Sequence, residues 1–220
     1  MNAFWRWGLV FAAPLVRLLF RVRVLGLEHL PSSGPAIIVF NHVSVMDGPV
    51  LAIEIGRRLR REARFLVAIE YFRRRPLGWI LKRADQIPIE RGRGDTAALD
   101  EVIATVRGGA LAALAPEGHV DEHAGAHGLQ RIRSGIARIA LPTRAPVIPV
   151  GIWGTQDRWP RGGLSFTRPL RPKLTLAFGA PMLPFGDAAE AADVDAFCDR
   201  VRTHLERQVA EAQRAAGAGS

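Results

Sequence analysis

The segment Asn41-His42-Val43-Ser44-Val45-Met46-Asp47 places an imidazole five residues ahead of a carboxylate. If the two fold back on each other, the carboxylate holds the imidazole in one tautomer. It also stabilises the imidazolium that forms when the ring accepts a proton. That is the arrangement of a general base. The plainer alternative is a satisfied loop histidine and an aspartate that caps a helix; spacing alone leaves both open. Two further stretches bring polar groups of a useful kind. Pro116-Glu117-Gly118 ends an apolar run with a second carboxylate. Arg91-Gly92-Arg93-Gly94-Asp95 sets arginines among glycines, which lets backbone and guanidinium approach a phosphate closely, although an ordinary charged turn has the same composition. His119, His123 and His127 recur at intervals of four, a metal-ligand spacing on a helix. Gly118, Gly125 and Gly128 argue against a helix there, and no metal site is expected.

These groups need elements to carry them. Ala36-Ile37-Ile38-Val39-Phe40 has the length and β-branching of a buried strand. Asn41 and His42 therefore leave a strand's carboxyl end, where open α/β sheets assemble their sites. Asp47-Gly48-Pro49 reads as the start of a helix that continues to about Arg61, since proline is favoured at the first helical position. Further strands are expected at 21–25, 65–69, 86–90, 110–115, 146–153 and 173–178. Helices are expected over 96–106 and 131–141, and along the stripe Val194, Phe197, Val201, Leu205 and Val209. This alternation, without internal repeats, implies an α/β fold with a single mixed, mostly parallel sheet flanked by helices. Glu117 then stands on the same rim as His42. Residues 25–214 make up this domain and 215–220 a frayed tail.

Composition narrows the partners. A single cysteine, Cys198, among 220 residues permits no intramolecular disulfide and suits a reducing compartment. The formal charge of +9 implies an anionic partner: phosphate, nucleic acid or a lipid surface. A nucleic-acid binder needs arginines and aromatics together on one exposed face, whereas the tryptophans here sit mostly among apolar neighbours. Residues 1–24 point to lipid. Phe4-Trp5-Arg6-Trp7 opens an apolar run broken by Pro14 and Arg17, too short for a membrane span. It has the tryptophans and arginines of an interfacial helix. On a helical projection Arg6, Arg17 and Arg21 share one side, and Phe4, Phe11, Leu15 and Leu18 another. A monotopic membrane anchor is expected, with a buried core helix as the alternative. The stretch 73–83, again cationic and apolar, suits a membrane surface or a solvated helix equally.

Together the motifs resemble those of the lysophosphatidic acid acyltransferase (1-acylglycerol-3-phosphate O-acyltransferase) family of glycerolipid acyltransferases, from about Val22 to Ala180. Asn41-His42, four residues and Asp47 look like the catalytic motif. Ile87-Pro88-Ile89-Glu90-Arg91 looks like the second, whose arginine is assigned to acceptor phosphate. Pro116-Glu117-Gly118 is similar to the third and Val147-Ile148-Pro149-Val150 to the fourth. The resemblance implies acyl transfer from an acyl thioester, on coenzyme A or acyl carrier protein, to the hydroxyl of 1-acylglycerol-3-phosphate or a related lysophospholipid. The work would be done at the cytoplasmic face of the cell membrane, in phospholipid biosynthesis. His42 would take the acceptor proton and Asp47 would orient and charge-balance it. Asn41, Arg91, Glu117 and Gly118 would form the substrate site. Oxyanion donors would come from backbone N–H groups near Gly118 or after Asp47. No metal, cofactor or nucleic acid is implied. One departure stands out: the family's third motif continues to Thr-Arg, whereas His119-Val120 follow Gly118 here. Arg131 and Arg133 are then the candidates to hold a phosphate. A different lysophospholipid or lipid alcohol as acceptor stays open, as does an inactive lipid-binding relative.

Overall fold

The computed structural model describes residues 3–90, 95–121, 128–160, 163–166 and 169–217. Seven strands form one sheet: β1 (Arg21–Leu25), β2 (Ala36–Phe40), β3 (Ala63–Ala68), β4 (Ile87–Ile89), β5 (Leu111–Leu114), β6 (Val147–Trp153) and β7 (Lys173–Phe178). Their order is β1-β7-β6-β2-β5-β3-β4. Every pairing is parallel except β6 with β7, so the sheet is mixed and mostly parallel, as expected. Strand polarity then decides what shares a rim. The carboxyl ends of β2, β3, β4, β5 and β6 lie together with the amino ends of β7 and β1.

The period of two along β2 explains the layers. Ile38 and Phe40 face one cluster, built with α1 (Ala3–Leu19) and α2 (Asp47–Leu59). Ile37 and Val39 face the other cluster. There α5 (Thr96–Arg107), α6 (Gly135–Thr143) and α7 (Ala191–Ala216) supply Val102, Ile136, Ile139, Phe197, Val201 and Leu205. With helices on both sides β2 is buried along its whole length, which is why it reads as one apolar run. Two short helices, α3 (Ile69–Phe72) and α4 (Leu77–Arg83), follow β3.

Several boundaries differ from the sequence reading, most by one or two residues. The strand expected at 65–69 begins at Ala63. The helix expected from Arg131 begins only at Gly135, because Arg133 donates its backbone N–H to the Pro116 carbonyl and Ile132 is turned inward between exposed Arg131 and Arg133. The last helix continues to Ala216, inside the tail expected at 215–220.

The first helix is apolar on two sides. Leu9, Ala13 and Val16 are buried against the domain, while Trp7, Phe11, Leu15 and Leu18 remain exposed on the opposite side. Phe4 meets Trp79 of α4 edge-on at 5.7 Å, and Trp79 and Ile80 are exposed too. Among the described residues no helix is long and apolar enough to cross a membrane.

Candidate functional site

The rim above β2 is where the polar residues gather. His42 Nδ1 and Asp47 Oδ2 are 2.9 Å apart. A carboxylate only accepts, so Nδ1 carries the proton and Nε2 presents its lone pair. The His42 side chain is 22% exposed and that of Asp47 not at all. The imidazole is therefore open to solvent on one side and backed by a buried carboxylate on the other. Asp47 is the first residue of α2, and its Oδ2 also accepts the N–H groups of Val43 and Ser44 at 2.8 Å each. The carboxylate thus fixes the loop that carries the histidine as well as the ring.

The backbone of residue 42 is clamped from the segment that follows β5. Glu117 Oε1 accepts the His42 N–H at 2.9 Å, and the His42 carbonyl accepts from Asp121 N–H at 2.7 Å. Glu117 Oε2 accepts from Gln130 N–H at 3.0 Å. Burial pushes the Glu117 carboxyl above its ordinary 4.5, and the N–H donors from Gln130 and His42 pull partly back. Asn41 is occupied in a similar way: its amide donates to the Ile152 carbonyl and accepts the Ile152 N–H, at 3.0 and 2.7 Å. This side chain extends the β2–β6 ladder by one rung. Both residues, expected in the substrate site, have their polar ends bonded to backbone groups.

Sequence reasoning missed the segment after β6. Thr155, fully buried, donates its hydroxyl to Asp47 Oδ1 at 2.5 Å. Ser44 donates to the Trp159 carbonyl at 2.6 Å and accepts the Met46 N–H. Arg158 is also fully buried, donating to the carbonyls of Ser165, Pro169 and Leu170, with its guanidinium 5.2 Å from the Phe166 ring centroid. One signal pointed here: Gly154-Thr155 leaves the carboxyl end of β6, the strand beside β2.

The remaining expected residues divide. Gly118 adopts φ +81°, and a Cβ there would come within 2.6 Å of Arg133 Nε. Glycine leaves room for that guanidinium, which donates from Nε to the Glu117 carbonyl at 3.2 Å. Arg133 is thus brought to the site. Arg131 lies two residues before it, exposed. His119 is exposed as well. Arg91, His123 and His127 lie outside the described residues. Of the amides around the expected oxyanion donors, Gly118 N–H goes to the Ala115 carbonyl and Asp47 N–H to that of Ser44.

A buried carboxylate behind a partly exposed histidine at a sheet rim is an arrangement that can take up a proton, and comparison with known proteins gives the family. The sequence pattern of a family described simply as Acyltransferase matches residues 21–153, from β1 through β6. The chain belongs to the acyltransferase family. An uncharacterized protein of Mycobacterium leprae is 28% identical over 206 residues, covering 79% of this chain and 54% of its own length. A 1-acyl-sn-glycerol-3-phosphate acyltransferase of Brassica napus, a chloroplastic protein, is 28% identical over 65% of this chain and 40% of its own length. The chain spans about half the length of the curated relatives it matches. The crystal structure of the Thermotoga maritima 1-acyl-sn-glycerophosphate acyltransferase, PlsC, superposes with a TM-score of 0.71 at 24% identity, over 94% of this chain and 78% of that one. The acyltransferase fold is therefore shared, mixed sheet and flanking helices included.

Proposed function

We propose that the chain transfers a fatty acyl group from an acyl thioester, on coenzyme A or acyl carrier protein, to the hydroxyl of a lysophospholipid such as 1-acylglycerol-3-phosphate. The observation that carries this reading is the 2.9 Å pairing of His42 Nδ1 with the buried Asp47 carboxylate in a member of the acyltransferase family. Nε2 of His42 takes the acceptor hydroxyl proton as the oxygen attacks the thioester carbonyl, and Asp47 stabilises the resulting imidazolium. The thiolate leaves and takes up a proton as the tetrahedral intermediate collapses. No covalent enzyme intermediate is invoked, and the reading gives no role to a metal or cofactor.

Arg133, beside Gly118, is the side chain best placed to meet an acceptor phosphate where Val120 replaces the family's arginine. Arg91 keeps the same expected role. The exposed apolar sides of α1 and α4 support action at a bilayer, with the protein attached to its cytoplasmic face without spanning it. A second reading, in which the acceptor is another lysophospholipid or lipid alcohol, is favoured by the same Val120.

The test is purified protein with labelled acyl-CoA and a panel of lysolipids. A diacyl product is expected, and His42→Ala should lower turnover by about 10²–10⁴, the usual worth of a general base. Undiminished turnover in that variant would remove His42 from the mechanism. On the same panel Arg133→Ala should raise KM for phosphate-bearing acceptors and leave that for neutral lipid alcohols alone.

A further inference from the structure

The rim carries a second polar feature, away from the histidine. At the β1 edge a groove of about 480 Å³ is lined by Arg17, Arg21, Arg23, Arg171 and Lys173, together with Thr175. Parallel pairing sets Arg21 beside Lys173 and Arg23 beside Thr175, so these four side chains share one face of the sheet. None of the five cations pairs with a carboxylate among the described residues. Like charges held this close repel, and an anion between them relieves that cost. The threonine is a second and independent sign. Thr175 is 1% exposed and its Oγ1 has no hydrogen-bond partner, although a buried hydroxyl ordinarily finds one. Guanidinium forks and a hydroxyl donor together match the oxygens of a phosphate.

We propose that this groove binds the headgroup phosphate of an anionic phospholipid. The proposal rests on the reading that the chain works at a bilayer, and it names the lipid class that reading leaves open. What favours a lipid is the apolar surround. Arg17 lines the groove at the end of α1, and the next residue, Leu18, is 68% exposed on the same side as Phe11 and Leu15. Leu170, next to Arg171, is 74% exposed. Cations bordered by exposed leucines are what a headgroup with its acyl chains meets. Three strands, β7, β6 and β2, separate β1 from β5, the strand that leads to Gly118 and Arg133. The lipid held here is therefore not the acceptor: it anchors the protein and sets its tilt.

The experiment is co-sedimentation of the full chain with vesicles of phosphatidylcholine alone or mixed with phosphatidylglycerol. Wild type should bind the mixed vesicles more tightly, and raised salt should erase the difference. Each basic side chain at an acidic surface is worth about fivefold. The triple variant Arg21→Ala/Arg23→Ala/Lys173→Ala should therefore lose a preference on the order of a hundredfold, at unchanged Tm. Arg21→Lys/Arg23→Lys, which keeps the charge, should retain most of it. A preference that survives in the triple variant, or that wild type never shows, overturns the proposal. A second arm adds inorganic phosphate or free coenzyme A without vesicles. If these raise the Tm of wild type but not of the triple variant, and no vesicle preference exists, the groove serves a soluble phosphate and the lipid assignment is wrong. Binding is read without turnover, so failure here leaves acyl transfer standing, and failure of the His42 test leaves the vesicle result standing.

Discussion

Asp47 accepts four hydrogen bonds, from His42 Nδ1, the N–H groups of Val43 and Ser44, and the Thr155 hydroxyl. Three of these come from within five residues, and that part of the site was legible in the sequence. The fourth comes from 108 residues away, across β6, and no local pattern could supply it. The same distance explains Asn41 and Glu117. Their positions beside the histidine were plain, but their partners, Ile152 and Gln130, belong to other elements. Thr155 is best understood as a positioning residue: it saturates the carboxylate oxygen that His42 does not use. Thr155→Val keeps the shape and leaves that oxygen buried without a donor, a cost of about 1–3 kcal/mol. If the loss is felt in the alignment of the ring, kcat should fall roughly ten- to a hundredfold with acceptor KM little changed. Thr155→Ser, which keeps the hydroxyl, should retain most of the wild-type rate. Wild-type kcat in the valine variant, or a serine variant as poor as the valine one, would show that the hydroxyl does not serve the dyad.

Among the elements, strands and helices with a strong apolar period were readable, because burial on both faces leaves a mark in composition. β2 and β7 are examples, and so is the inner stripe of α7. What composition did not show was where α6 begins. Ile132 fits a helical stripe as well as it fits an extended segment, and only the bond from Arg133 N–H to Pro116 decides for the latter. Nor did it show why Gly151 interrupts an otherwise large-residue strand. There α7 crosses β6 so closely that a Cβ on Gly151 would run into the Gln208 backbone. Backbone cannot swing aside as a side chain can. Gly151→Ala should therefore cost about 3 kcal/mol, the upper part of the range for overpacking, and lower Tm by about 10 °C in a domain of this size. Because Ile152 is the residue that Asn41 clamps, activity should fall before the protein melts. A thermal scan beside an activity assay at each temperature measures both; an unshifted Tm would mean that α7 does not sit against that strand as closely as the packing indicates.

At the scale of the whole molecule, the unusual feature is a helix with two apolar sides. A globular helix ordinarily has one apolar stripe and a polar back. α1 buries Leu9, Ala13 and Val16 and yet exposes Trp7, Phe11, Leu15 and Leu18. A membrane anchor and a core helix are alternatives from sequence; the helix packs one apolar side into the core and leaves the other uncovered. An exposed apolar stripe of this length is a liability in water, which the proposed bilayer attachment would remove. The two sides can be separated by substitution. Phe11 and Leu15 are 73% and 54% exposed, so Phe11→Glu/Leu15→Glu should leave Tm essentially unchanged. Each loses the roughly 1.5–3 kcal/mol gained when such a side chain leaves water, so binding to uncharged phosphatidylcholine vesicles should fall at least a hundredfold. Leu9→Glu, by contrast, places a charge against the Gly56 turn of α2, where Leu9 Cδ1 would lie 3.0 Å from a Cβ on that glycine, and should unfold the domain instead. Vesicle binding that persists in the double glutamate variant would show that the stripe does not contact lipid, and the attachment would then have to be sought in α4, through Trp79 and Ile80.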